Sequence, residues 1–233
     1  MSRGAMKAAL IAHRDPQAAA SEAYRVLRTN LQFAGVDQPL RSVLITSATP
    51  GEGKSTTAAN LAVAFAQSGV EVCLLDADLR RPTIHKLFGV ENWRGLTSAL
   101  INQGGLDAAL QPSGVPGLTL LTSGPLPPNP AEMLASAQMA ALLDELEQRF
   151  EMVLIDTPPV LAVTDAAVLA PKADGALLVV RAGRVARQQV VQARAALTAV
   201  QARVLGAVLG CVQPEPHSGY YYYSYGEYHQ RDR

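Results

Sequence analysis

Three groups of residues in this chain carry side chains suited to chemistry on phosphate. The first is "TPGEGKST", in which Gly51, Gly53, Lys54 and Ser55 stand directly before a run of good helix formers. Glycines let backbone N–H groups approach phosphate oxygens, a lysine reaches the β and γ phosphates, and a serine hydroxyl ligates Mg²⁺. Pro50, Gly51, Glu52, Gly53, Lys54, Ser55 and Thr56 therefore form the expected cradle for the phosphates of ATP. Ala48 stands where such loops usually have their first glycine, and its small side chain still avoids crowding.

The second group is acidic. Asp76 and Asp78 lie in "VCLLDADLRRP" and Asp156 in "MVLIDTPPV", each at the end of an apolar run. Mg²⁺ keeps several of its waters and is anchored by one or two carboxylates, so acids at neighbouring strand ends suit a metal–nucleotide site. An aspartate at a strand end also caps helices, which is the competing structural use of each. Asp76 and Asp78 flank Ala77, and in extended chain both side chains fall on one side, one towards Mg²⁺ and the other towards an incoming nucleophile. Asp156 has the character of a Walker B acid.

The third group is phenolic. Six of the seven tyrosines, Tyr220, Tyr221, Tyr222, Tyr223, Tyr225 and Tyr228, crowd into the end of the chain. A phenol titrates near ~10 and is protonated at neutral pH, so its attack on a phosphoryl group needs an oriented base, or loss of the proton late in the transition state. Asp78 or Asp76 is placed for that role.

The elements that must position these groups are legible as alternation. "RSVLITSA", "VEVCLLDAD", "GLTLLTSG", "EMVLIDTPP", "DGALLVVRAG" and "RVLGAVLGCV" read as strands, with alanine-rich, helix-compatible stretches between most of them. The pattern predicts an α/β fold with a mainly parallel sheet flanked by helices, the strands buried on both faces and the ligand edge at their C-terminal ends. "SEAYRVLRTNLQFAG" predicts a helix opened by Ser21 as N-cap and ended near Gly35, with Ala23, Leu27 and Leu31 inward and Glu22, Arg25 and Arg28 on the other side. In "GPLPPNPAEML", Asn129 is the expected N-cap and Pro130 the first helical residue. Beyond Pro214 and Pro216 no apolar periodicity continues, and residues from Gln213 onward read as a flexible tyrosine-rich tail. The expected division is an N-terminal extension 1–20, a phosphate-loop domain 21–212 and the tail 213–233.

Composition narrows the function classes. The 233 residues carry 20 Lys plus Arg against 20 Asp plus Glu, a balance that argues against nucleic acid as a partner. The apolar runs are shorter than the ~18 residues that suggest a membrane span, and no sustained apolar segment precedes His13 and Arg14, so a cytoplasmic location is expected. Cys73 and Cys211 lie in apolar, strand-like runs and are expected as buried small hydrophobes without a disulfide. The histidines have no ligand spacing for a transition metal.

The motifs "PGEGKST", "LLDADLRRP", "GPLPPNPAEML" and "VLIDTPP", in that order, resemble the bacterial tyrosine kinases of exopolysaccharide and capsule biosynthesis, from about Ser21 to the C-terminus. The resemblance implies a P-loop NTPase fold, with Lys54 and Ser55 in Walker A, Asp76 and Asp78 as the A′ acids and Asp156 in Walker B. It implies ATP and Mg²⁺ as cofactors and autophosphorylation of the terminal tyrosines in trans. Glu22, Arg25 and Arg28 match the family's E-x-x-R-x-x-R subunit-contact motif, which implies a homo-oligomer, in ring form. Further implied partners are a membrane polysaccharide co-polymerase, which activates the kinase and recruits it to the inner membrane, and a protein-tyrosine phosphatase. The related partition and division-site ATPases carry an additional loop lysine where this chain has Thr49, and the family's usual Asn after the last strand is replaced by Gly210. Competing readings are a nucleotide-gated positioning ATPase that modifies no tyrosine, and a scaffold that binds nucleotide without turnover.

Overall fold

The computed structural model describes residues 10–36, 39–101 and 104–212. Seven strands form one sheet: β1 (Ser42–Ser47), β2 (Val72–Asp76), β3 (Leu110–Pro112), β4 (Leu118–Leu121), β5 (Met152–Asp156), β6 (Gly175–Arg181) and β7 (Val204–Gly210), in the spatial order β3-β4-β2-β5-β1-β6-β7. All neighbours run parallel except the β3–β4 pair. The six expected strands are present, and β3 is an addition. Its three residues contain Pro112, which an edge strand tolerates because one side has no ladder partner to lose.

Burial on both faces explains why the central strands read as continuous apolar runs. Val43, Ile45, Val72, Leu74, Met152 and Leu154 enter one core, and Leu44, Cys73, Leu75, Val153 and Ile155 enter the other. The first core is closed by α1 (Ile11–Arg14), α2 (Ala19–Ala34), α3 (Lys54–Ala66) and α4 (Ile84–Phe88). The opposite core is closed by α5 (Leu96–Leu100), α6 (Pro130–Ala135), α7 (Ala137–Arg149), α8 (Asp165–Leu169) and α9 (Arg187–Ala199).

Helix α3 is the centre of the first layer, with every residue from Thr57 to Ala66 buried. One polar group in it is Asn60, whose Oδ1 accepts from Ala12 N at 2.9 Å and whose Nδ2 donates to Thr56 O at 2.8 Å. That bond draws residues 10–20, the described part of the expected extension, onto the domain, with Leu10 and Ala12 inside the core.

Helix α2 begins three residues earlier than expected, with Ala18 rather than Ser21 at the N-cap position. Ser21 is not its N-cap: its hydroxyl donates to Ile11 O at 3.2 Å and Asp15 O at 2.6 Å, tying the helix to the end of α1. Ala23 is exposed, and Leu31 with half-buried Tyr24, Leu27 and Arg28 makes the inward face instead. Arg28 accordingly donates from Nη1 to Ala64 O at 3.1 Å, at the end of α3. Asn129 likewise does not cap α6 with its side chain, which donates to Glu132 at 3.1 Å, although Pro130 is the first helical residue as expected. Cys73 is buried in β2, whereas Cys211 lies past the end of β7 and is exposed; both are free.

Between β4 and α5 the chain leaves no room for a side chain at Gly95. A Cβ there would meet Thr122 O and Gly124 N inside contact distance and Thr122 C at 2.7 Å, all of it backbone that cannot turn aside. Gly95→Ala should therefore lower unfolding stability by about 1–3 kcal/mol in urea titration, the usual cost of overpacking. An unchanged midpoint would show that these two loops are not held together as described.

Candidate active site

The sheet order brings β2, β5 and β1 side by side, with Asp76 in register with Asp156 and Asp156 in register with Ile45. Three chain segments far apart in sequence thus end on one edge, where the loop from β1 turns into α3. That turn needs left-handed backbone at Gly51 (φ +82°) and Gly53 (φ +92°), which glycine adopts without steric cost. The amide groups of the loop and of the first turn of α3 then point to the place where a phosphate chain is bound in such folds.

Lys54 is the first residue of α3, and its Nζ is surrounded by acceptors. It donates to Asp78 Oδ2 at 2.9 Å and Ser55 Oγ at 3.1 Å, and stands 3.6 Å from Asp156 Oδ1. Burial by itself would lower the lysine's pKa; the charges of Asp156 and Asp78 outweigh it and hold the ammonium form above its ordinary value.

The three acids are not equivalent. Asp76 Oδ2 accepts from the amides of Thr83 and Ile84, each at 3.0 Å, and Oδ1 from Asp78 N at 3.3 Å. Asp78 Oδ1 accepts from Arg81 N at 2.9 Å, while its Oδ2 faces Lys54. Asp156 is fully buried, and neither of its carboxylate oxygens has a hydrogen-bond partner. Orphaned carboxylate oxygens in an interior are costly, so they mark a place completed by a further group. Ser55 Oγ and Asp156 fit Mg²⁺. Among the described residues no three His, Cys, Asp or Glu side chains gather to cage a metal. Asp76, whose oxygens are already engaged by backbone amides, is the less free of the expected ligands.

Two expected cradle residues do other work. Glu52 is buried, and its carboxylate accepts from Thr49 N, from Thr49 Oγ1 at 3.0 Å and from Arg181 N at 3.4 Å, stapling the loop to the end of β6. Only its main chain is left to meet a phosphate. Pro50 has no N–H to offer and contributes shape alone. Sequence reasoning missed Asp165, fully buried at the start of α8, which accepts three hydrogen bonds from Arg80 at 3.1 to 3.2 Å. The forked pair locks the segment after β2 to the segment after β5. Its one signal was the "TD" before α8, which reads equally well as a simple helix start.

Glu22 and Arg25 form an ion pair within α2 at 2.6 Å, and Arg25 also donates to Pro16 O. Of the three residues of the expected subunit contact, Arg28 is partly engaged by its own chain through Ala64 O of α3. The tyrosine cluster lies outside the described residues, as does everything from 213 onward.

Burial raises the carboxyl of Asp76, and the charge of Asp156 pushes it further; burial likewise raises Asp156 against the pull of Lys54. Without metal the folded chain thus holds protons that the unfolded chain releases near ~4, and stability should fall as pH rises from there toward neutrality. Thermal unfolding in EDTA should show this decline, and Mg–ATP, by giving the ionised acids a partner, should flatten it. Identical slopes in the two conditions would remove these acids from the metal site.

Comparison with known proteins agrees with this geometry. Residues 40–227 match the ParA family, described as NUBPL iron-transfer P-loop NTPase. The tyrosine-protein kinase YwqD of Bacillus subtilis is 49% identical over 218 residues, 94% of this chain and 92% of that protein. The putative tyrosine-protein kinase CapB of Staphylococcus aureus is 38% identical over 218 residues, 94% of this chain and 95% of that protein. Among solved structures, the kinase domain of the Escherichia coli tyrosine kinase ETK superposes with a TM-score of 0.83 at 36% identity, covering 91% of this chain and 84% of that chain. A chain that shares about half its residues with one tyrosine-protein kinase over nearly the whole of both, and its backbone course with another, belongs to the bacterial tyrosine-protein kinases, on the P-loop NTPase fold.

Proposed function

We propose that this chain transfers the γ-phosphoryl group of ATP to tyrosines in the cluster Tyr220, Tyr221, Tyr222, Tyr223, Tyr225 and Tyr228 of a neighbouring copy, and through that cycle controls exopolysaccharide or capsule polymerisation and export. The observation that carries the reading is the convergence of Lys54, Asp78 and Asp156 at the phosphate loop, in a chain whose relatives are tyrosine-protein kinases.

The division of labour follows from the contacts. Loop amides and Lys54 bind the β and γ phosphates, and Ser55 and Asp156 hold Mg²⁺ against them. Magnesium supplies charge neutralisation of the leaving diphosphate. When Lys54 turns to phosphate it leaves Asp78 Oδ2, which is then free to accept a hydrogen bond from a phenol, while Asp78 Oδ1 stays fixed by Arg81 N. The tyrosine oxygen bonds to the γ phosphorus as the bond to the bridging β–γ oxygen breaks; ADP leaves and the phenol proton passes to Asp78. Asp76, held by the amides of Thr83 and Ile84, orients this acidic turn.

Tyrosines presented in trans require neighbours. Glu22, Arg25 and Arg28 are proposed to dock a second copy in a closed ring, with the intrahelical Glu22–Arg25 pair opening to exchange partners across the interface. Among the described residues no helix is long and apolar enough to cross a membrane. Recruitment to the inner membrane is assigned to a polysaccharide co-polymerase, whose cytoplasmic tail activates the kinase, and removal of the phosphates to a protein-tyrosine phosphatase.

Mass spectrometry after incubation with Mg–ATP and an activator tail should find phosphate on the terminal tyrosines, and none in Lys54→Met. ATP turnover with no phosphotyrosine would instead make the chain a positioning ATPase. Asp78→Asn should slow phosphorylation about 10²- to 10⁴-fold, the range of a positioned base, while leaving Mg–ATP affinity within a few-fold. A wild-type rate in that variant would move the base elsewhere. Glu22→Ala with Arg25→Ala should lower the oligomer mass in light scattering; an unaltered mass excludes this face as the contact.

A further inference from the structure

Next to the acidic turn lies a second cavity, of about 560 Å³, that the transfer reaction does not use. Its wall runs from Arg80 to Thr83, through Lys86 and Asn92, to Gly124, Pro125 and Leu126. The charge in it is mostly uncompensated. Arg80 is neutralised by buried Asp165, but among the described residues neither the Arg81 guanidinium nor Lys86 has an ion-pair partner, and both are exposed. The Oγ1 of Thr83 is buried in the same wall and has no hydrogen-bond partner. The far wall is rigid, because Asn92 binds Gly124 from both ends of its amide, accepting from Gly124 N and donating to Gly124 O at 3.0 and 3.1 Å.

Two cations and an orphaned hydroxyl describe an anion site, and the rest of the lining narrows the anion. Exposed Pro125 gives flat apolar surface, and Leu126 beside it is 60% exposed. An apolar shelf leading to a cationic end matches a flat ring that carries a phosphate. We infer that this cavity binds the phosphotyrosine side chain of a tail already modified, the ring on Pro125 and Leu126 and the phosphate at Arg81 and Lys86. The inference rests on the proposed tail phosphorylation for its ligand, and names what happens to the product.

Position supports the assignment. Arg81 N bonds Asp78 and the amides of Thr83 and Ile84 bond Asp76, so the cavity and the acid that meets the incoming phenol are built on one turn. An extended peptide covers roughly 3.3 Å per residue, so tyrosines three positions apart in sequence, as Tyr222, Tyr225 and Tyr228 are, would be about 10 Å apart in a peptide bound in that form. One can occupy the cavity while another faces Asp78. A phosphotyrosine carries about −1.5 to −2 charge, close to the two unpaired cations, so the cavity saturates with a single phosphate. The first phosphate on a tail would hold it in place for the next, and later ones would find no cation left.

The test uses the full-length Lys54→Met chain, which cannot modify itself, and fluorescently labelled synthetic peptides of the sequence from Tyr220 to Gln230. A peptide with phosphotyrosine at the position of Tyr228 should bind at least tenfold more tightly than the unmodified peptide in fluorescence anisotropy. Lys86→Ala and Arg81→Ala should each remove most of that difference, and Lys86→Arg should keep it. Free phosphotyrosine should displace the peptide at lower concentration than inorganic phosphate, because only the former has a ring for Leu126. Equal affinity for the two peptides overturns the inference, as does displacement by Mg–ATP with no effect of either variant, which would place the phosphate in the nucleotide cradle. Equal competition by inorganic phosphate removes the ring shelf and with it the assignment to phosphotyrosine. These peptides are synthetic, so binding is read independently of whether the wild-type chain phosphorylates its own tail.

Discussion

One ammonium group sets the terms for the site: Lys54 Nζ stands between Asp78 and Asp156, at 2.9 and 3.6 Å, where burial would otherwise force its charge off. The lysine stays charged because the acids are there, and the acids tolerate one another's proximity because the lysine is. No part of this arrangement is stable alone, since an unpaired charge in such surroundings is costly. In the mechanism proposed above, a triphosphate would draw Lys54 away and leave Asp78 Oδ2 open to a phenol.

The surrounding architecture holds that cluster in place from several sides. Glu52 fastens the loop to β6, and Asp165 fastens Arg80, and with it the segment after β2, to the segment after β5. Asn60 ties α1 to α3, the helix that begins with Lys54. These three buried polar groups are each satisfied by backbone or by a charged partner, while both Asp156 oxygens are not. The contrast separates scaffolding from a place open to a ligand: Asp156 has an ion pair with Lys54 but no hydrogen bond to either oxygen.

Specificity for a phenol is not written in the cradle, which serves any P-loop NTPase. What flanks the acidic turn differs in kind: Arg80, Arg81, Lys86, Pro125 and Leu126 line a cavity there, the place proposed above for a modified tyrosine.

Much of this could be read from residue order. The α/β class, the strands β1, β2, β4, β5, β6 and β7, and the gathering of Lys54, Ser55, Asp78 and Asp156 at one sheet edge follow from local patterns, because phosphate loops and buried parallel strands have signatures a few residues long. What sequence alone misjudged were matters of facing. Ser21, Ala23, Arg28, Glu52 and Cys211 each have an identity compatible with several environments, and only packing chose among them. Arg28 lies inward because α3 offers it Ala64 O, and Glu52 lies inward because β6 offers it an amide. The Arg80–Asp165 pair, 85 residues apart, and the cavity beside it exist only once β4, β2 and β5 are neighbours. Local chemistry needs only a short window of chain; the pairing of distant charges requires the sheet order, which is settled by burying two apolar faces at once.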